Sequence, residues 1–193
     1  MYISPEGLIE VEKKFGVPKA VSLTYEMAGR EFEMVRRSQK NGRAHDVTLF
    51  IIAGDRIVVI RKPMYPHGAY RAPSGGITPG EGVEDGALRE GLEETGLEIA
   101  LDDYILRARV AFTCEADVIE WTTHVFSATP VGGELQPIDT HEIVEARLAT
   151  IRELSSDIRD ALIGSGSTGL RYRAELSDMV IHELIQRGRL RAS

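Results

Sequence analysis

Behind Ser4-Pro5, the apolar positions Leu8, Val11 and Phe15 recur at helical spacing, and Pro18 closes the element. Serine followed by proline suits a helix start, because the hydroxyl caps an orphan N–H and proline has none to satisfy. Between residues 25 and 40 two periods compete. Phe32 and Val35 fit a helix ending at Gly42, Phe32 and Met34 fit an edge strand, and a helix is the expectation. Residues 47–53 and 56–60 are β-branched runs split by Gly54-Asp55, which predicts a hairpin. Residues 107–113 and 119–128 predict a second strand pair around Glu115-Ala116-Asp117. Gly132-Gly133 turns the chain, and residues 145–149 form a short strand ahead of a helix near Arg152. Residues 164–169 read as a flexible linker. Leu176, Val180 and Leu184 then align along an amphipathic helix over 174–187. No segment repeats. Strands on both sides of one central helix predict an α+β fold instead of alternating βαβ units. The division expected is an N-terminal helical extension at 1–43, a main domain at 44–163, and a linker with a C-terminal helix at 164–193.

The central helix, expected over 82–95 with Gly96 just past its end, obeys the local rules poorly. Glu90, Glu93 and Glu94 fall on one face within about 100° of arc, with Leu88 and Leu92 opposite and expected to pack on the core. Like charges three and four residues apart repel. Glu93 and Glu94 sit at the negative end of the helix dipole, and Gly86 and Gly91 each cost roughly 1 kcal/mol against alanine. Several such faults in one short segment mark a functional site. A hard divalent cation, Mg²⁺ or Mn²⁺, would turn the repelling carboxylates into ligands. Charge alone favours a solvated acidic face; the spacing across the whole segment reverses that in favour of the site.

That spacing, Gly75-x5-Glu81-x7-Arg89-Glu90-Gly91-x-Glu93-Glu94-x-Gly96-Leu97, resembles the Nudix box, G-x5-E-x7-R-E-U-x-E-E-x-G-U with U aliphatic. Every charged and glycine position is filled, and Gly91 alone departs, standing where the family has an aliphatic residue. The departure either loosens packing under the helix or lets it approach the sheet. The resemblance implies a Nudix-like α/β/α sandwich with a mixed β-sheet and a central catalytic loop-helix. It implies Mg²⁺ (or Mn²⁺) held by Glu90, Glu93 and Glu94, with Glu81 as a further contact and Glu90 as ligand or base. Arg89 would belong to the catalytic set by orienting the carboxylates, and Gly75 and Gly76 would let backbone approach substrate closely. The implied reaction is metal-dependent hydrolysis of a diphosphate bond in a nucleoside diphosphate derivative. A glutamate from the loop 139–145 often completes such sites, and Glu142 is the candidate here, as ligand or general base. Two other readings stay open: a non-catalytic nucleotide-binding domain of the same fold, and an isoprenoid-diphosphate isomerase, which would want a catalytic cysteine.

The remaining chemistry narrows this picture. A net charge of −7 argues against a nucleic-acid polymer as partner, though not against a phosphorylated small molecule that metal would neutralise. Cys114 is alone, so neither a disulfide framework nor a cysteine zinc site is available. No apolar run reaches about 18 residues, and the polar start carries no leader pattern. Hence no membrane partner and a cytoplasmic location are expected, with a homodimer possible. Arg61, Lys62 and Arg71 flank a loop leading to Gly75, and cations beside a glycine turn suit a diphosphate. Tyr65, His67 or Tyr70 could stack on a base, His141 could shuttle a proton, and Arg171-Tyr172-Arg173 could close over substrate. Residues 111–113 lack the proline of ADP-ribose-type relatives, so the substrate stays open.

Overall fold

Along residues 45–53, Val47, Leu49 and Ile51 alternate with Asp46, Thr48 and Phe50, and the two sets face different layers. In the computed structural model, which describes residues 3–39 and 42–191, this strand is central. The elements run α1 (Pro5–Phe15), β1 (Lys19–Glu26), α2 (Gly29–Ser38), β2 (His45–Ala53), β3 (Arg56–Arg61), β4 (Ser74–Gly76), α3 (Val83–Thr95), β5 (Leu97–Cys114), β6 (Asp117–Gly133), β7 (Glu145–Thr150), α4 (Ile151–Ser155), α5 (Asp157–Gly164) and α6 (Thr168–Gln186). Strand order is β1-β5-β6-β2-β3-β7, with β4 attached to β2. The pairs β1·β5 and β2·β6 are parallel and the others antiparallel, so the sheet is mixed. One face packs on α1 and α3 and the other on α2, α4, α5 and α6, which gives the expected α/β/α sandwich. Among the described residues no helix is long and apolar enough to cross a membrane.

Several local expectations change. The first helix forms as expected, with the Ser4 hydroxyl accepting from Gly7 N–H and with Val11 and Phe15 buried. The 1–43 region is not purely helical, however. Lys19–Glu26 is an edge strand paired with Leu106–Thr113, and the helix expected over 25–40 begins at Gly29. The ladder partners lie 87 residues away (Lys19 opposite Leu106), so a long-range ladder decides this segment and local periodicity does not. The second hairpin is far longer than expected, and Gly132 and Gly133 end β6 against Glu98 and Leu97. The 164–169 segment is a short turn between α5 and α6 in place of a flexible linker: Ser165 caps onto Leu162 O, and the Ser167 hydroxyl accepts from Leu170 N–H to start α6.

The central helix also turns differently. Leu92 is 39% exposed, and the face on the sheet is Val83, Ala87, Gly91 and Glu94. Leu88 only rests against the edge of that core. The cause is Gly91. A Cβ there would lie 2.7 Å from Ile99 Cδ1 and 3.3 Å from Leu49 Cδ1, so the helix sits nearer the sheet than an aliphatic residue would allow. Of the two consequences foreseen for this departure, close approach is the one observed.

A wholly buried histidine links three strands. His124 Nε2 lies 3.0 Å from His45 Nδ1, and its Nδ1 meets the Tyr104 hydroxyl. Burial, then the neighbouring His45 and Arg107, pushes the His124 pKa from 6.5 down to about 3. The folded ring therefore stays neutral where the unfolded one protonates. Its stability contribution is full above 6.5 and is lost as pH falls toward 3, by up to about 1.4 kcal/mol per pH unit. His124→Gln should destabilise the protein near pH 7, because it removes the bond to the Tyr104 hydroxyl and the contact with His45. The gap to wild type should narrow as urea titrations move to about pH 4, and a gap independent of pH would refute the linkage. Independently, Gly91→Leu should lower stability by about 1–3 kcal/mol through overpacking, read from the urea midpoint; a neutral result would show that the helix can retreat freely.

Candidate active site

Helix α3 begins after Gly82, with Glu84 and Asp85 in its first turn, where the dipole favours acids. It ends at Gly96, whose φ of 75° is left-handed and whose N–H donates to Leu92 O. A neighbouring loop completes the end: Ile138 N–H and Asp139 N–H both donate to Glu93 O at 3.0 Å. The box thus joins a short strand, a helix and a latched loop.

Two arginines organise the acids. Arg89 forks onto Glu81, Nε to Oε1 at 2.7 Å and Nη2 to Oε2 at 2.9 Å. Its Nη1 bridges Glu90 Oε1 at 2.7 Å and Glu93 Oε2 at 3.1 Å, and Nη2 also reaches Gly76 O at 3.0 Å. Arg71 is buried and donates to the Tyr65 hydroxyl, Ala72 O, Ser74 Oγ, Ser74 O and Glu94 Oε1. A guanidinium has five N–H donors, so neither side chain keeps one for substrate. Arg89 orients the carboxylates as expected. Arg71, expected at the substrate, instead fixes Glu94, which also accepts from Ser74 N–H at 2.6 Å.

Glu90 lies in a notch. A Cβ on Gly75 would fall 1.8 Å from its Cδ, so only glycine leaves room for it. Gly75 and Gly76 are therefore needed for side chains to cross the strand, a different reason from the substrate approach expected of them. Burial raises the Glu90 pKa, with Arg89 opposing. The hydrogen bond from Arg89 lowers that of Glu81, which also accepts from Thr78 N–H.

The 139–145 loop reaches the same place. Asp139 Oδ1 accepts from His141 and Glu142 N–H, Ile143 is buried beneath, and Val144 N–H pairs with Arg61 O. Lys62 Nζ lies 2.6 Å from Glu142 Oε2 and 3.9 Å from Glu94 Oε1, bringing Glu142 within one ammonium group of the box. Lys62 thus links the two acids, a role its place beside Arg61 did not disclose. Arg61 is half-buried and only 3.5 Å from Glu145 Oε2, leaving it the freer of the flanking cations. His67 and His141 are exposed, while Tyr70 lies under Arg147 and bonds Glu145. The 171–173 segment is not a lid. Tyr172 is buried and donates to Thr123 Oγ1, and Arg173 pairs with buried Asp46 at 3.0 Å. Cys114, at the end of β5 remote from α3, neighbours Gly29. Ser74 and Arg43 went unremarked in the sequence; the register of Ser74 one position before Gly75 was its one available signal.

The NUDIX domain model matches residues 42–165. The chain belongs to the Nudix family. A curated relative, the NAD-capped RNA hydrolase NudC of Stutzerimonas stutzeri (strain A1501), is 31% identical over 51% of this chain and 33% of its own length. The chain therefore spans about a third of that protein. Among solved structures, a UDP-X diphosphatase is 18% identical over 76% of this chain and 72% of that one, with a TM-score of 0.50. A NUDIX hydrolase from Nitrosomonas europaea is 22% identical over 65% and 91%, with a TM-score of 0.48.

Nudix hydrolases generally use divalent cations. Among the described residues no three acidic or histidine side chains already converge as a metal nest; Arg89 bridges Glu90 and Glu93. The donor set nevertheless fits such an ion. It is all hard oxygen, and Arg89 bonds only one oxygen of each of Glu90 and Glu93. Without metal, a raised Glu90 pKa means that its stability contribution is present below the unfolded pKa and is lost as pH rises through the folded one. In chelator at neutral pH, Glu90→Gln should therefore melt at or above wild type, with the advantage vanishing as pH drops below about 4. A mutant less stable at every pH would contradict a net cost of burying this charge beside Arg89.

Proposed function

We propose that this Nudix domain is a hydrolase dependent on Mg²⁺ or Mn²⁺ that cleaves a diphosphate bond in a nucleoside diphosphate derivative, with residues 44–163 carrying the chemistry. The observation behind this reading is the single Arg89 guanidinium that gathers Glu81, Glu90 and Glu93 beside Gly76 O. A surface acid cluster has no need of such a clamp. Glu90, Glu93 and Glu94 would hold the metal, which when bound neutralises phosphate oxygens and makes water a better nucleophile.

The chain's own residues supply the rest. Burial raises the Glu90 pKa above the ordinary carboxylate value and so makes the group more basic, which favours it as general base. Glu142 is the second candidate, because Lys62 holds it toward Glu94. Arg61, whose contact with Glu145 is a long 3.5 Å, is the cation we assign to substrate phosphate. The NudC relative is named for NAD-capped RNA, a nucleotide derivative, whereas the net charge of −7 favours a small molecule over a polymer here. Against a non-catalytic domain stand the retained box acids. Against an isomerase stands Cys114, at the wrong end of β5.

A panel of nucleoside diphosphate derivatives assayed for nucleoside monophosphate release should show turnover with Mg²⁺ and none in chelator. Glu93→Gln, at a half-exposed site 46% open to solvent, should keep the fold and lose on the order of 10²-fold in kcat. Glu94→Gln is a poorer test, since it also strands buried Arg71. If Glu90 is the base, Glu90→Gln removes the acidic limb of the kcat–pH profile and Glu142→Gln leaves it. Metal-independent turnover, or wild-type activity in Glu93→Gln, would sink the proposal.

A further inference from the structure

Gly75 and Gly76 present opposite faces of β4, and a charged side chain crosses each. Glu90 lies against Gly75 on the α3 side. On the other side a Cβ at Gly76 would fall 2.5 Å from Arg43 Cδ, 2.6 Å from its Nη1 and 2.7 Å from its Cζ. The acid is balanced by Arg89. The cation is not balanced: among the described residues Arg43 has no hydrogen bond or ion pair, and its Nε is buried without an acceptor. A dry charged donor without a partner is unfavourable.

The nearest acid by register is Asp46, opposite Gly76 in the β2·β4 ladder, and it is already committed. Its Oδ1 accepts from Thr123 and its Oδ2 pairs with Arg173. The backbone carrying Arg43 is pinned, since Thr122 N–H donates to Ala44 O. Arg43 is therefore held against the box strand while lacking a protein anion. β4 is hydrogen-bonded to β2, and its other edge faces the site. There Ser74 N–H meets Glu94, and Gly76 O meets Arg89. An anion lying over that edge has the box carboxylates on one flank and Arg43 on the other. A guanidinium fork suits phosphate oxygens better than a point charge does.

We propose that Arg43 binds a phosphate of the diphosphate substrate, forming an anion site across β4 from the carboxylates; this rests on the hydrolase reading above. Gly76 is then glycine because a side chain there would displace the Arg43 guanidinium.

The test is calorimetric titration of ADP with Mg²⁺ into the full chain, alongside steady-state kinetics on the best diphosphate substrate. Arg43→Ala should weaken ADP binding about tenfold or more and raise KM by a like factor, with kcat and the melting temperature nearly unchanged. Arg43→Lys should recover part of the loss. Gly76→Ala should reproduce the loss, and the double variant should add nothing to it, because both remove one interaction. Equal ADP affinity in Arg43→Ala and wild type would overturn the site. So would equal losses in the alanine and lysine variants together with lowered melting temperatures, which would make Arg43 structural. Wild type that binds ADP but hydrolyses no diphosphate would leave the anion site standing and overturn the hydrolase reading. Wild type that binds neither ADP nor inorganic pyrophosphate would overturn both.

Discussion

Carboxylates crowded on one helix cannot share a small volume without positive charge between them, and two arginines supply it here. Arg89 interleaves Glu81, Glu90 and Glu93, and Arg71 anchors Glu94 to the β4 backbone through Ser74. Lysine could not replace either, because each contact set uses the flat fork in several directions at once. The Arg71–Glu94 pair is almost fully buried. Desolvation offsets much of the attraction in such a pair, so its main effect is on position: removing one partner strands the other at a cost of about 3–5 kcal/mol. Glu94 thus has one conformation before any ligand arrives, whereas Glu93, half in solvent, remains adjustable.

Charge placement of this kind requires close backbone approach, which missing Cβ atoms provide. Gly91 brings α3 down onto Ile99 and Leu49, so that Glu94 is buried with Val83 and Ala87. Gly75 admits the Glu90 carboxylate across β4, and Gly76 admits Arg43. The helix gives up propensity at Gly86 and Gly91, and tertiary contacts make up for it.

Most of the site was legible in the chain because its acids lie within one local segment whose spacing converts directly to helix geometry. Glu81, Arg89, Glu90, Glu93 and Glu94 needed no tertiary information to be grouped. Contacts set by distant sequence were not legible. Arg71 looked like a substrate cation until its five donors were traced, and Arg173 looked like a lid residue until its pairing with Asp46 emerged. Leu92 was assigned inward on polarity alone, but a helix whose buried face carries a paired glutamate and a glycine defeats that rule. β1 was missed because its ladder partner lies in β5. The hairpin of β2 and β3 and the C-terminal helix stood out because their apolar periods are strong and uninterrupted.

The flanking elements enter the same charge balance. α1 sends Lys14 to Glu84 at the start of α3 and Glu12 to Arg107 on β5. The Lys14 pair is exposed and contributes little, so α1 acts chiefly through Val11 and Phe15 in the core. α6 does something the core cannot. Its Arg173 neutralises Asp46, which sits in register with Gly76, and Tyr172 occupies the Thr123 hydroxyl that completes the group. Through Arg173 the C-terminal helix, distant in sequence from the box, thereby commits the buried acid that stands opposite Gly76 in the β2·β4 ladder.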